Sequence, residues 1–277
     1  MIPQILQSSA ILLIVALGGL ISERGGILNI GLEGMIGAGA FAAVALVVSG
    51  LPVVAAVFGG VLAGVLLALL FSLFALRWRA NPFIVGLAIN VLSAGTLPLL
   101  SEILFDSRGA LRIGGHTVGY SLVVGLAVVT VMVTQVFLYR TVPGIRLRIT
   151  GEEPDWMRAQ HIGVKRYQTM GLVAAGGFSG LSGALLAMRI GVYLPNISSG
   201  RGWIALVIIY LGYRRPYGLA VAALFFGIME ALSVRAQSVL AVPPTVLLSL
   251  PYLFTVAAFV SYAAFRRYRR GIQDARW

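Results

Sequence analysis

The sequence has no cysteine and little charge, and both features narrow what the protein can do. Its 277 residues include 21 basic and nine acidic side chains, so that only 11% are charged, against about 25% in an ordinary soluble domain. The absence of cysteine excludes disulfide bonds, thiol catalysis and cysteine-ligated metals. The two histidines, His116 and His161, lie far apart in polar loops, which argues against a metal site.

Catalytic and phosphate-binding motifs are also missing. There is no Ser/His/Asp arrangement, no H-E-x-x-H and no G-x-x-x-x-G-K-[ST] phosphate loop. We therefore predict that this chain is not an enzyme and binds no cofactor of its own. The net charge of +12 does not predict nucleic-acid binding, because the basic residues cluster at helix ends and no soluble basic face exists to carry it.

What the sequence has in abundance is apolar residues, which make up 59% of the chain. A soluble core of this length could not hide so much apolar surface, so the solvent is expected to be lipid. Irregular backbone cannot face hydrocarbon, and most apolar blocks are long enough for spanning helices rather than barrel strands. The blocks fall at about 3–21, 30–48, 52–76, 83–105, 119–139, 169–189, 202–212, 217–235 and 246–265. We predict one all-α polytopic membrane domain over residues 1–277, with about nine transmembrane segments.

The distribution of charge predicts the orientation in the membrane. Placing the polar interval 140–168 in the cytoplasm and alternating the spans gives an external N-terminus and a cytoplasmic C-terminus. Most of the 21 basic residues then lie inside, including those of the tail 266–277, as the positive-inside rule describes. The N-terminal block lacks a basic n-region and an A-x-A cleavage site, so we expect it to remain as a helix.

Two places depart from plain spanning helices. Six glycines interrupt the start of the second block between Gly25 and Phe41, and the short block 202–212 ends at a Pro- and Gly-containing turn. Interrupted helices in both halves of a chain are found around the central pathway of transporters. For the first stretch, close packing and a functional break are equally open interpretations. For Gly176 to Gly183, the spacing of small residues favours helix packing.

A few polar residues lie within or beside the apolar blocks. Those that could line a translocation path are Asn29, Glu33, Asn90 and Glu230. A carboxylate in hydrocarbon is costly, so each should face protein or water. Asn90 could instead form a helix–helix hydrogen bond, and Glu230 could belong to a structural ion pair, with Arg235 five residues further on. Glu102 is near the end of its block and is expected at the membrane interface.

The interval 140–168 is the longest polar stretch between apolar blocks. Pro154 follows acidic residues at a place typical of a helix start, which predicts a short helix over about 154–161 that ends near Gly163. One interpretation is a solvated surface loop. The other is a helix that docks into a groove of a cytoplasmic motor subunit.

Three segments carry a family resemblance. They are G-E-E-P-x(7)-I-G-V (151–164) followed by GGFSGLSGALLAM, GGLISERGGILNIGLEGMIGAGAF (18–41), and GRGWIALVIIYLGYRRPYGLAVAALFFGIMEAL (200–232). Together they resemble permease subunits of bacterial ABC importers of the branched-chain amino acid and simple-sugar class. The L-N-I-G-L-E-G form resembles the nucleoside-type branch of that family.

The resemblance implies the fold of importer permeases of the vitamin B12 and ribose type, in the plasma (inner) membrane. It also implies three partners: a second, related and longer permease, a cytoplasmic ABC ATPase that binds ATP and Mg, and an external substrate-binding protein. The expected role is a path for nucleosides, with simple sugars or branched-chain amino acids as alternatives. A stand-alone secondary carrier or channel is the alternative of another class, and it would not need a coupling-type loop.

The resemblance also assigns the residues that contact the ATPase. They are Gly151, Glu152, Glu153, Pro154, Asp155, Trp156, His161 and Ile162. The sequence departs from the family pattern at Trp156, Met157, Gln160 and His161, where small residues are usual, and at Arg214, where an aromatic is usual. These departures predict a dedicated ATPase partner with a matching pocket.

Overall fold

The computed structural model describes residues 2–107, 109–114, 118–239 and 260, with side chains up to residue 235 in the long C-terminal range. The helices are α1 (Ile2–Arg24), α2 (Leu32–Val48), α3 (Val53–Ser72), α4 (Pro82–Phe105), α5 (Tyr120–Arg140), α6 (Val142–Glu152), α7 (Pro154–Ala159), α8 (Val164–Ile190), α9 (Arg201–Leu211) and α10 (Pro216–Val239). A π-helical turn, Leu73–Arg77, extends α3. Two short strands, β1 (Leu111–Arg112) and β2 (Val192–Tyr193), pair antiparallel.

Six helices in the described ranges are long and apolar enough to cross a membrane: α1, α3 with its π turn, α4, α5, α8 and α10. Two shorter apolar helices, α2 and α9, accompany them. These eight helices correspond to the first eight apolar blocks. The ninth block, 246–265, lies outside the described residues apart from residue 260, so the count of nine segments stays a prediction.

Helices α1 and α8 lie at the centre of the bundle. α8 packs against α1, α2 and α3, and α1 also packs against α5, α9 and α10. In the most apolar part of α1, 78% of residues are buried, against 22% in α3 and in α4. The outer helices therefore carry more of the exposed apolar surface than the central ones. On α3, exposed Phe58, Leu62 and Leu66 are spaced by four residues and form one apolar stripe.

Glycine allows the central helices to approach closely. A Cβ atom at Gly176 of α8 would lie 2.5 Å from the Cβ atom of Ala68 on α3 and closer still to the carbonyl oxygen of Gly64. Likewise, Gly180 of α8 lies directly against the backbone of Gly60 on α3. The prediction that this stretch serves helix packing is confirmed.

The interval 140–168 is mostly helical: besides the predicted short helix it contains α6 and the first turn of α8, which the sequence analysis did not predict. α6 begins after Thr141, whose hydroxyl accepts a hydrogen bond from the N–H of Gly144 at 3.2 Å. Such a cap stabilises a helix start by about 1 kcal/mol. α8 begins at Val164, so the last residues of the interval belong to that helix rather than to a loop.

The short helix predicted over 154–161 is present as α7 and is two residues shorter at its C-terminal end. Glu153, at φ −137°, separates it from α6, and Pro154 begins it. It ends because His161 adopts a left-handed conformation with φ 57°, and the N–H of Ile162 then bonds the carbonyl of Met157 at 3.0 Å.

Candidate functional site

Two interrupted helices begin close together inside the bundle. The backbone from residue 25 to residue 31 is not helical, and α2 starts only at Leu32. α9 has 11 residues and is therefore roughly 16 Å long, about half the thickness of the hydrocarbon core. Both predicted helix breaks are present. The N–H groups at the start of a helix lack intrahelical partners and need acceptors from elsewhere.

Glu33, in the first turn of α2, supplies the acceptors for α9. Its Oε1 accepts a hydrogen bond from the N–H of Gly200 at 2.6 Å, and its Oε2 accepts one from the N–H of Gly202 at 2.7 Å. A carboxylate at this position also interacts favourably with the positive end of the helix dipole. Gly202 must be glycine here, because a Cβ atom would lie 2.5 Å from the backbone nitrogen of Glu33.

Asn90 and Asn29 satisfy the backbone of the α2 break. From α4, the Oδ1 of Asn90 accepts the N–H of Gly34 at 2.8 Å, and its Nδ2 donates to the carbonyl of Ile30 at 2.9 Å. The Oδ1 of Asn29 accepts the N–H of Gly31 at 2.9 Å. The predicted hydrogen bond between helices is therefore present at Asn90, whose place in a translocation path stays a prediction. The side chain reaches the broken backbone rather than another side chain.

Glu230 of α10 forms an ion pair with Arg201, the first residue of α9. The two side chains are mostly buried, with 26% and 17% of their surface exposed. The structural interpretation of Glu230 thus has support, with an arginine that the sequence analysis did not consider. The start of α9 is held by α2 through Glu33 and by α10 through this pair.

A cavity of about 160 Å³ lies between α2, α4 and the segment that leads from β2 to α9. Glu33 and Asn90, two of the four predicted path residues, line it. Asn29 is buried, and neither it nor Glu230 is among the lining residues of this cavity. Other lining side chains are those of Ser93, Leu97, Pro98, Tyr193 and Asn196.

Sequence reasoning missed four polar residues of this cavity. Ser93 lies three positions after Asn90 and hence on the same helical face, which is a signal that was present. Tyr193, Asn196 and Ser198 belong to the connection before α9, where only contact with a distant part of the chain reveals their position. In the described part of the chain, no group of three His, Cys, Asp or Glu residues could hold a metal ion.

The predicted ATPase-contacting residues lie together at the end of the bundle where α1 ends. Gly151 is pressed against the α1–α2 connection, since a Cβ atom there would lie 2.7 Å from the nitrogen of Gly26. Glu152 pairs with Arg24 at 3.2 Å. Exposed side chains in this set are those of Glu152, Glu153, Asp155, Trp156 and His161, while Pro154 and Ile162 are half-buried.

α7 has one buried and one exposed face. Met157 is fully buried, and α7 packs against α6 and α8. Trp156 next to it is 47% exposed, and Asp155 forms an ion pair with Arg158 on the outer surface. A large aromatic side chain held out on a short, well-anchored helix is a feature of contact surfaces for another protein.

Comparison with known proteins gives consistent results. The family described as "Branched-chain amino acid transport system / permease component" matches residues 1–263. The guanosine ABC transporter permease protein NupQ of Bacillus subtilis is 29% identical, over 94% of this chain and 91% of its own length. The nucleoside ABC transporter permease protein NupC of Lactococcus lactis is 29% identical, over 88% of this chain and 86% of its own.

Two further proteins extend the comparison. TsgC13 of Haloferax volcanii, provisionally named as a glucose ABC transporter permease protein, is 29% identical over 94% of this chain and 90% of its own length. Among solved structures, an inward-facing ABC transporter described as of the metal-chelate type superposes with a TM-score of 0.60. The identity there is 16%, over 93% of this chain and 85% of that chain, so the likeness shows the fold alone.

Proposed function

We propose, from the premise that this chain belongs to the family of branched-chain amino acid transport system permease components, that it forms the translocation path for nucleosides in an ATP-driven importer. The chain is an ABC transporter permease subunit embedded in the membrane. The proposal adds three points to this assignment: the substrates are nucleosides, α7 couples the chain to an ATPase, and the partner subunits complete the importer.

The proposal of nucleosides as substrate rests on the relatives and on the chemistry of the cavity. Two relatives of 29% identity are named for guanosine or nucleosides. The polar residues Glu33 and Asn90 and the apolar residues Leu97 and Pro98 line the same cavity, a mixture suited to a hydroxylated ring. At about 160 Å³ the cavity is smaller than the roughly 300–1,000 Å³ of drug-sized sites. A whole nucleoside therefore requires space completed by a second permease.

Simple sugars are the second candidate substrates. The observation that favours them is the similarity to TsgC13, whose name assigns it to glucose. A cavity of this size would hold a single sugar ring more readily than a nucleoside. A direct competition experiment between the two substrate classes separates the candidates.

The exposed Trp156 beside the fully buried Met157 is the observation that carries the coupling proposal. Met157 fixes α7 to the bundle, so a subunit that binds Trp156 can move the helix and the bundle together. In this mechanism, closure of an ATPase dimer moves α7 as a rigid body, and the path between two permeases switches its opening from one side to the other. α6 and α7 then face the cytoplasm, the N-terminus is external, and an external binding protein delivers the substrate.

The proposal is tested by purifying the tagged chain from its native membrane in mild detergent and identifying every co-purifying subunit. We expect an ABC ATPase and a second permease. The Trp156→Ala variant should lose most of the ATPase, because truncation of a central aromatic contact commonly costs about 2 kcal/mol or more of binding free energy.

Trp78→Ala is the matched control, because Trp78 is also exposed, at 64%, and lies outside the interval 140–168. It should retain the ATPase. A wild-type chain that purifies alone and still transports nucleosides in liposomes would contradict the importer proposal and favour a secondary carrier.

A further inference from the structure

Arg24, the last residue of α1, contacts two separate parts of the chain with one guanidinium group. Its Nη1 lies 3.2 Å from the Oε1 of Glu152, at the end of α6. Its Nε and Nη2 donate to the carbonyl oxygen of Arg214, in the turn between α9 and α10, at 3.2 and 2.7 Å. Only 15% of the Arg24 side chain is exposed. A planar guanidinium can hold two such partners at once, whereas an ammonium group is a single point of charge.

The turn that Arg24 holds has a strained backbone. Tyr213 and Arg214 adopt left-handed conformations in succession, with φ of 55° and 56°. Neither residue is glycine, and such conformations persist only where surrounding contacts maintain them. The neighbouring Glu23 adds to those contacts, because its carboxylate accepts the hydroxyl of Tyr210 at 3.1 Å and pairs with Arg214 at 3.2 Å.

α9 is therefore fixed at both ends by groups from other helices. Its last turn and the turn that follows are held by Glu23 and Arg24 of α1. Its first turn is held by Glu33, which also lines the cavity. A helix of 11 residues moves as a rigid unit, so a displacement at Arg214 reaches the cavity wall. Arg24 is the group that joins this unit to Glu152, next to α7.

We infer that Arg24 is the positioning residue through which movement of the α6–α7 segment reaches α9 and the cavity. The inference rests on the proposed function, since it requires an ATPase that moves α7. It adds a route inside the permease: from Glu152 to Arg24, from Arg24 to the carbonyl of Arg214, and along α9 to Glu33.

The experiment uses the complete complex in proteoliposomes and measures substrate taken up per ATP hydrolysed. Arg24→Gln and Glu152→Gln should each lower this ratio by roughly 2- to 30-fold, the range typical of residues that carry coupling between sites. The amount of ATPase that co-purifies should not change in Arg24→Gln, because Arg24 is not among the residues predicted to contact the ATPase. The double variant Arg24→Gln/Glu152→Gln should be no worse than Arg24→Gln alone, because both changes interrupt the same connection.

Two further variants sharpen the experiment. Arg24→Lys keeps the positive charge but cannot hold both partners, so we expect it to lower the ratio as well. Arg215→Gln removes an exposed arginine from the same turn and should leave the ratio unchanged. If Arg24→Gln does not assemble, Arg24→Lys and Glu152→Gln decide the question.

The result that overturns the inference is an unchanged uptake ratio in Arg24→Lys and Glu152→Gln, or losses in the double variant that equal the product of the single losses. Loss of the ATPase from the Arg24→Lys complex would also overturn it, since Arg24 would then act in docking. These outcomes leave the proposed function intact. A wild-type complex without any ATPase would instead contradict the proposed function.

Discussion

Replacing Glu33 gives the sharpest prediction about the stability of the bundle. Its carboxylate is the acceptor for the N–H groups of Gly200 and Gly202 at 2.6 and 2.7 Å. No other hydrogen bond among the described residues is shown for these two N–H groups. Glu33→Gln keeps the size of the side chain, replaces one acceptor oxygen by an NH₂ group, and removes the negative charge.

The expected loss in the free energy of unfolding follows from the strength of these contacts. A hydrogen bond to a charged group contributes about 1.5–3 kcal/mol, and a charge at a helix N-terminus contributes about 0.3–1 kcal/mol. Glu33→Gln loses one hydrogen bond and the charge, so we expect a loss of about 2–4 kcal/mol in the free energy of unfolding. Glu33→Ala loses both hydrogen bonds as well as the charge and should cost about 3–7 kcal/mol.

The measurement is the free energy of unfolding in mixed detergent micelles, from titration with a denaturing detergent. Asp106→Asn is the matched control, because it makes the same carboxylate-to-amide change at the exposed residue that ends α4, and we expect a change of less than about 0.5 kcal/mol. A Glu33→Gln variant as stable as the wild type would refute the assignment of Glu33 as the cap of α9.

Three further predictions concern the packing of the bundle. Gly176→Ala should destabilise the folded protein by more than about 3 kcal/mol, because the added methyl group meets the backbone of α3. Gly177→Ala is the control: its methyl group meets only side-chain carbons at 3.5 and 3.7 Å and should be tolerated. Thermal stability in detergent compares the two variants, and equal stability would contradict the packing. Glu230→Gln leaves the charge of Arg201 without its carboxylate and should destabilise the folded protein by about 3 kcal/mol. In the same assay, the double variant Arg201→Gln/Glu230→Gln should recover part of this loss. A double variant less stable than the single one would contradict the ion pair. Asn90→Ala leaves a buried N–H and a carbonyl at the α2 break without partners and should lower the stability by about 2 kcal/mol. Hydrogen exchange at the start of α2 should then be faster. Unchanged exchange would exclude Asn90 as the group that holds this break.

The sequence predicted the membrane class and the spans because these depend on local composition. Eight apolar blocks coincide with eight helices, and the breaks before α2 and after α9 were visible because glycine and proline change the backbone where they stand. The interval 140–168 was predicted less well. Its charge suggested a loop, although Thr141 followed by Pro143 is a local signal for the start of α6.

The roles of the polar residues could not be predicted in the same way, because their partners are distant in sequence. The acceptor Glu33 and the N–H of Gly200 are 167 positions apart, and Arg24 and Glu152 are 128 positions apart. Periodicity places a residue on a helix face but does not say which helix it meets. Glu33 and Asn90 were therefore found as candidates from their polarity, whereas the structure adds that both hold broken helix ends in place.

The measurement that tests the central claim most directly is uptake of radiolabelled guanosine by proteoliposomes that contain the purified complex and its external binding protein. Excess unlabelled nucleoside, pentose or leucine is added in parallel. The account predicts uptake that requires ATP and is competed by nucleosides and not by leucine. Uptake of guanosine without ATP by this chain alone, or competition by leucine and not by nucleosides, would contradict it.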